Sequence, residues 1–502
     1  MIVRGRELGS DVTLDVDAVV VGTGAGGGMA LRELARAGLK VVALEEGGYH
    51  RPRDFTQRED EMLPMLFQDA GGRTTRDLAV RVLQGRGVGG STIHNTNLCK
   101  RTPSDILDLW RDRYAVSGAG PVEMAPAFEA VERDLSVTEI PAELRNPNNE
   151  VLREGAEKLG WRAGPLKHNR VGCQLSGFCE LGCAYDAKQN VAKVLLPQAE
   201  AAGATVYSDV KVVRVLHERG RATGVVAVAP NAWVTVKARI VVLAASAVGS
   251  AARAARSDLP DPFRQIGRGL RLHPGAVVAG RFERTMNSEY GIPQSYECTE
   301  LLSFEEGSDK RVWIVPAFAH PIGTASMLPG FGKEHMRAMR TYGKLAVLTA
   351  MVHDETDGRV SADAEGRPVI DYVMSAADRA QMAKGLVACA RLLFAAGAAE
   401  VVIPAIPPVR LQSAREVDGL RTDFVRPHGL PVTAVHPMGT LRMGDDPRRA
   451  VVDSRGEHHF VKGLFVSDGS LFPTSLGAPP QISIYAFALH LAKHIVERAK
   501  SL

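Results

Sequence analysis

Asp17-Ala-Val-Val-Val-Gly22-Thr-Gly24-Ala-Gly26-Gly27-Gly28 joins an apolar, β-branched run to a glycine-rich turn, and residues 29–37 continue it with helical composition as far as Gly38. Residues 40–44 form a second β-branched run, closed by Glu45, Glu46 and the pair Gly47-Gly48. Strand, glycine turn, helix and strand make a βαβ unit. In such a unit the GxGxxG glycines, here Gly22, Gly24 and Gly27 with Gly26 beside them, let backbone approach a pyrophosphate while the helix N-terminus faces its charge. Glu45 ends the next strand 18 residues after Gly27, where a carboxylate can bind ribose hydroxyls. An acid there suits FAD or NAD and disfavours NADP.

Outward from this unit, strand-like alternation returns at residues 205–215, 224–228 and 240–244, so the rest of the nucleotide sheet is expected late in the chain. Residues 276–424 carry strands near 311–317 and 344–352, a hairpin around 358–372 and a helix over 376–396, and a last helix spans 483–499. The expected fold class is α/β. A Rossmann-type dinucleotide domain (1–115, 185–275 and 425–502) would carry an inserted α+β substrate-binding or cap domain (116–184 and 276–424).

With 502 residues, 45% hydrophobic and 24% charged, the chain can bury a deep cofactor site. A net charge of only +4 with scattered Lys and Arg argues against nucleic acid and for a small-molecule partner. No apolar run of signal-peptide length precedes the first strand, and the stretches 240–252 and 482–492 are too short to span a bilayer. The expectation is a cytoplasmic protein with no membrane span. Three of the six cysteines, Cys173, Cys179 and Cys183, fall in a C-x5-C-x3-C pattern. Thiolates so spaced can hold zinc or an iron–sulfur cluster, but three are few, and thiols without metal are the expectation.

Five segments in order resemble the glucose-methanol-choline (GMC) oxidoreductase family: VVVGTGAGGG (19–28), GRGVGGSTIHN (85–95), VVLAASAVGS (241–250), HPMGTLRMG (436–444) and VSDGSLFPTSLGAPP (466–480). The resemblance implies FAD, with Gly89, Gly90, Ser91 and Asn95 along the flavin, Asp468 and Gly469 near the ribityl chain and pyrophosphate, and backbone at Val212 near adenine. It also implies hydride transfer from an alcohol to flavin N5, with oxygen, an acceptor protein or a quinone taking the electrons onward. His436 matches the family's catalytic histidine. Hydride removal needs the hydroxyl to lose its proton, and a histidine base suits that demand.

His94 matches a position that some members join covalently to the flavin. The cysteine segment is similar to one that holds a three-iron cluster in some sugar dehydrogenases of the family, and looks most like that of the long-chain alcohol oxidases. One position departs from the pattern. Where relatives commonly place Asn or His beside the substrate oxygen, this chain has Pro479, which offers no donor. Asn97, His94 or Gln481 would have to substitute, or the chemistry is that of a flavin-containing lyase, isomerase or decarboxylase without net redox turnover. The aliphatic insert favours an apolar or bulky alcohol.

Overall fold

The computed structural model describes residues 1–305 and 307–502. Strand Val12–Val21 is buried on both faces at its end, with Ala18, Val19 and Val20 fully inaccessible, as its unbroken apolar run requires of a parallel strand covered on two sides. It pairs in parallel with Val41–Leu44, which pairs with Thr205–Ser208, which pairs with Ile2–Arg4. On its other edge lies the long strand Ala232–Leu243, parallel throughout. That strand has two partners on its far side. Its first half pairs antiparallel with Arg221–Ala229, while Val241–Leu243 pairs in parallel with Leu464–Val466. The final strand of the nucleotide sheet therefore arrives more than two hundred residues after the rest.

The second sheet runs in the order 409–411, 400–403, 275–281, 345–352, 312–316, 296–298 and 163–165, all antiparallel. Its strands sort residues by face, as a period of two dictates. Ala276, Val278, Val312, Ile314, Leu348 and Ala350 share a core with Val151 and Leu152 of helix Pro147–Leu159 and with Met382 and Leu386 of helix Ala376–Ala395. Their neighbours Gly275, Val277, Trp313, Thr349 and Met351 line a cavity shared with the nucleotide domain. Each large apolar side chain on the helix face contributes roughly 1.5–3 kcal/mol by burial, while on the other face Trp313, Val315 and Met351 pack with Leu98, Leu166 and Leu302, and Val277 and Thr349 border the cavity.

Residues 116–135 pack differently from the sequence assignment to the cap. Met124, Ala127, Phe128 and Val131 form one stripe of helix Pro121–Asp134 that lies on the last helix, Gln481–Ser501, and joins the nucleotide core. Helical spacing announced a buried face without saying what it meets. Among the described residues, no helix is long and apolar enough to cross a membrane.

Candidate active site

The turn after Val12–Val21 places Gly22 at φ +95° and leaves Gly24 as the residue before helix Ala25–Arg36. A Cβ on Gly24 would meet nothing within 4 Å, because it would point into the cavity, whereas one on Gly26 would lie 1.7 Å from the Ser467 carbonyl oxygen. The first glycine clears space for a ligand and the second lets the late strand's end close on the helix. Gly27 does not reach the cavity; it packs on the Gly22 backbone.

Glu45 is buried, and its carboxylate accepts hydrogen bonds from Thr23 N (3.0 Å), Thr23 Oγ1 (2.9 Å), Gly47 N (3.0 Å) and Gly87 N (3.3 Å). Gly89 N donates to Thr23 Oγ1 (3.0 Å), so this acid clamps the two glycine turns together while also lining the cavity. Burial, and then the neighbouring Glu46, push its pKa up. Glu46 was not singled out by the sequence. Burial alone would raise its pKa, but Arg253, whose guanidinium lies 3.0 Å away, and Gln68 outweigh that and hold it down. Arg253 Nε also donates to the Val212 carbonyl (3.2 Å), which puts Val212, Glu46 and Arg253 together at one end of the cavity.

Gly90, Ser91, His94 and Asn95 line its middle, opposite Asp468 and Gly469. Asp468 accepts from Ser250 Oγ (2.6 Å) and Ser470 N (2.8 Å). Gly89 lies behind this wall. His94 is buried, its Nε2 has no hydrogen-bond partner, and burial followed by the charge of Lys188 lowers its pKa to about 3. Asn95 Nδ2 donates to Gln481 Oε1 (2.7 Å), and Gln481 Nε2 donates to the Leu98 carbonyl (2.7 Å). Gln481 is thus committed to the protein, and Asn97 does not line the cavity, so neither stands in for the missing group at Pro479, which does line it.

At the border of the two domains, His436 follows strand Val432–Ala434 into the cavity. Its Nδ1 lies 3.2 Å from Nδ1 of His273, whose Nε2 accepts from Gly477 N (3.1 Å). An amide N–H can only donate, so neutral His273 carries its proton on Nδ1 and donates it to His436 Nδ1. Neutral His436 then carries its own proton on Nε2. Burial lowers His436 to a pKa of about 3 and, with His436 and His353 adding to it, holds His273 well below the ordinary value, so both rings are neutral near pH 7. The backbone at His273 is left-handed (φ 51°), which costs a non-glycine residue roughly 1–2 kcal/mol. The Asp354 carboxylate fixes that backbone by accepting from Leu272 N (2.9 Å) and His273 N (3.1 Å), while Ser475 Oγ (2.9 Å) and Tyr372 OH (2.8 Å) fix the carboxylate. His273 and Asp354 had no motif to mark them.

Four acids line the cavity: Glu45, Glu46, Asp468 and Glu180. The first three are tied up as described. Glu180, inside the cysteine segment, has no hydrogen-bond or ion-pair partner among the described residues, and burial raises its pKa against the opposing pull of His320 and Lys188. The cysteines around it are free thiols. Arg170 Nη1 reaches Cys173 Sγ (3.4 Å), Ala187 N donates to Cys183 Sγ (3.3 Å), and Lys188 Nζ donates to the Cys179 carbonyl (2.8 Å). Among the described residues, no three His, Cys, Asp or Glu side chains come together to hold a metal ion.

The N- and C-terminal domains described as GMC oxidoreductase match residues 63–275 and 354–488. The chain belongs to the GMC oxidoreductase family. An uncharacterised GMC-type oxidoreductase of Mycobacterium tuberculosis is 37% identical to it over 96% of this chain and 76% of its own length. The long-chain-alcohol oxidase FAO3 of Arabidopsis thaliana is 30% identical over 97% of this chain and 68% of its own. Among solved structures, pyridoxine 4-oxidase from Mesorbium loti superposes with a TM-score of 0.75 at 19% identity, covering 95% of this chain and 98% of that one. The nucleotide sheet of this GMC oxidoreductase is accordingly an FAD-binding Rossmann-type domain.

Proposed function

We propose that this GMC oxidoreductase oxidises an apolar or bulky alcohol, with FAD lying from the Glu46–Arg253 end of the cavity to His436. The observation that carries the reading is that one cavity joins the open glycine turn to a histidine whose protonation is fixed from behind. The helix N-terminus beyond Gly24 suits a pyrophosphate, and the carboxylates of Glu45 and Glu46 suit ribose hydroxyls. When bound, FAD supplies the oxidised ring that accepts the hydride.

The chain's residues do the rest. The resemblance names His436 as base; the tautomer that His273 favours supports a donor's part for it, in which its Nε2–H would donate to the alcohol's oxygen and stabilise the negative charge that grows there. This is the service that Pro479 cannot give. Glu180, the lining acid that has no protein donor among the described residues, is the group we propose to take the hydroxyl proton, and a raised pKa makes it a better acceptor. Trp313, Val277, Met351, Phe318 and Met327 give the wall an apolar character suited to a hydrocarbon substrate.

Anaerobic addition of long-chain, branched and short alcohols to the purified holoprotein tests the reading. We expect bleaching of the visible flavin band by at least one apolar alcohol. Turnover of a panel member with no bleaching would sink it in favour of a reaction without net redox change.

His94 adds a separate expectation. A neutral, buried imidazole on the cavity wall with an unpartnered Nε2 suits covalent attachment to the flavin. Acid precipitation should leave the yellow colour in the wild-type pellet and release it from His94→Ala, whereas release from both proteins would exclude the link.

A further inference from the structure

Strands Val312–Pro316 and Leu345–Val352 are antiparallel neighbours, which a turn of two to five residues can join. The chain instead spends residues 317–344 on an outward excursion that carries two helices of its own, Pro321–Met327 and Lys333–Arg340. Its base is anchored. Glu59 accepts from Ile322 N (2.6 Å) and Gly323 N (3.0 Å), His320 stacks on Phe178 at 5.1 Å, and Tyr342 OH donates to the Ala319 carbonyl. Its inner side, through Phe318 and Met327, is cavity wall.

Its outer side is unlike an ordinary solvated face. On helix Lys333–Arg340, Lys333, Met336, Arg337 and Arg340 share one face at helical spacing, and all are exposed. Among the described residues none of the three cations has an acidic partner, while the helix's one acid, Glu334, is taken by Arg410 (3.2 Å). Just before the helix Phe331 is 94% exposed, Met336 is 59% exposed, and Ile322 on the preceding helix is 50% exposed. Exposed apolar side chains set among unpaired cations are the composition of a surface that enters the headgroup region of an anionic bilayer. An acidic protein or a nucleic acid would use the cations and leave Phe331 in water.

We propose that the excursion 317–344 docks this enzyme on anionic lipid surfaces, with Phe331 and Met336 inserted and Lys333, Arg337 and Arg340 paired to lipid phosphates. The cavity wall on the same excursion then stands next to the phase in which an apolar alcohol dissolves. That last consequence rests on the proposed function; the docking does not.

Flotation of the full-length holoprotein with vesicles of phosphatidylcholine alone, or with added phosphatidylglycerol, tests it without turnover. The wild type should float with the phosphatidylglycerol vesicles, less as salt rises, and poorly with phosphatidylcholine alone. Phe331→Asp and the double change Lys333→Glu/Arg337→Glu should each lower binding by about tenfold or more. Both variants should keep the wild-type flavin spectrum and the wild-type rate on a short, water-soluble alcohol. A wild type left in the lower layer at low salt, variants that float like it, or retention on heparin without vesicle binding would overturn the proposal. Vesicle binding in a protein that no alcohol reduces would uphold the docking and sink only the reaction.

Discussion

His436→Ala is expected to retain FAD and to lose alcohol-driven flavin reduction by about 10²–10³-fold, the usual effect of removing one preorganised donor from a developing oxyanion. Neither residue near the reaction position in the resemblance compensates, since Pro479 lacks a donor and Gln481 spends its amide on Asn95 and the Leu98 carbonyl. Cofactor retention follows from position: the clamp at Glu45 and the Glu46–Arg253 pair belong to the other end of the cavity. Stopped-flow measurement under nitrogen checks it. Wild-type reduction rates in the variant would remove His436 from the reaction.

Glu180→Gln should lower the reduction rate by about 10²–10⁴-fold while keeping the side chain's size. The pH profile distinguishes this from a packing defect. Only the carboxylate can take the hydroxyl proton, so wild-type reduction should fall as pH drops through the Glu180 pKa, and burial moves that limb above the ordinary carboxylate range. The Gln variant should be slow and lack this limb. A variant that keeps both the rate and the limb would exclude Glu180. His436 adds no limb near neutrality because burial holds it at about 3.

The nucleotide half was legible because its signals are local. A β-branched run, an open glycine turn, a helix and a terminal acid sit within about thirty residues, and each backbone demand is met by the residue type that satisfies it. The cap's strands and its long helix were likewise written in periods of two and of 3.6. What the sequence hid were partners. Helix Pro121–Asp134 showed an apolar stripe but not the helix it would cover. His273 lies 163 residues before His436, and only the folded chain brings the rings edge to face at 5.3 Å. Glu180 was overshadowed by the thiols around it, and its distinction, having no hydrogen-bond or ion-pair partner among the described residues, is a property of three-dimensional surroundings. Even at Glu45, placed rightly at the end of its strand, the four bonds from backbone and hydroxyl were beyond prediction.

The alternation along the second sheet has an evolutionary corollary. Positions 277 and 349 border the cavity and belong to neither buried core, so they can drift while the residues packed on helices Pro147–Leu159 and Ala376–Ala395 stay put, whereas Trp313 and Met351 are packed with Leu98, Leu166, Leu302 and Val315 and a change there costs stability as well as reshaping the wall. A scaffold of this kind diversifies by repainting one wall of a room whose structural wall stands behind it.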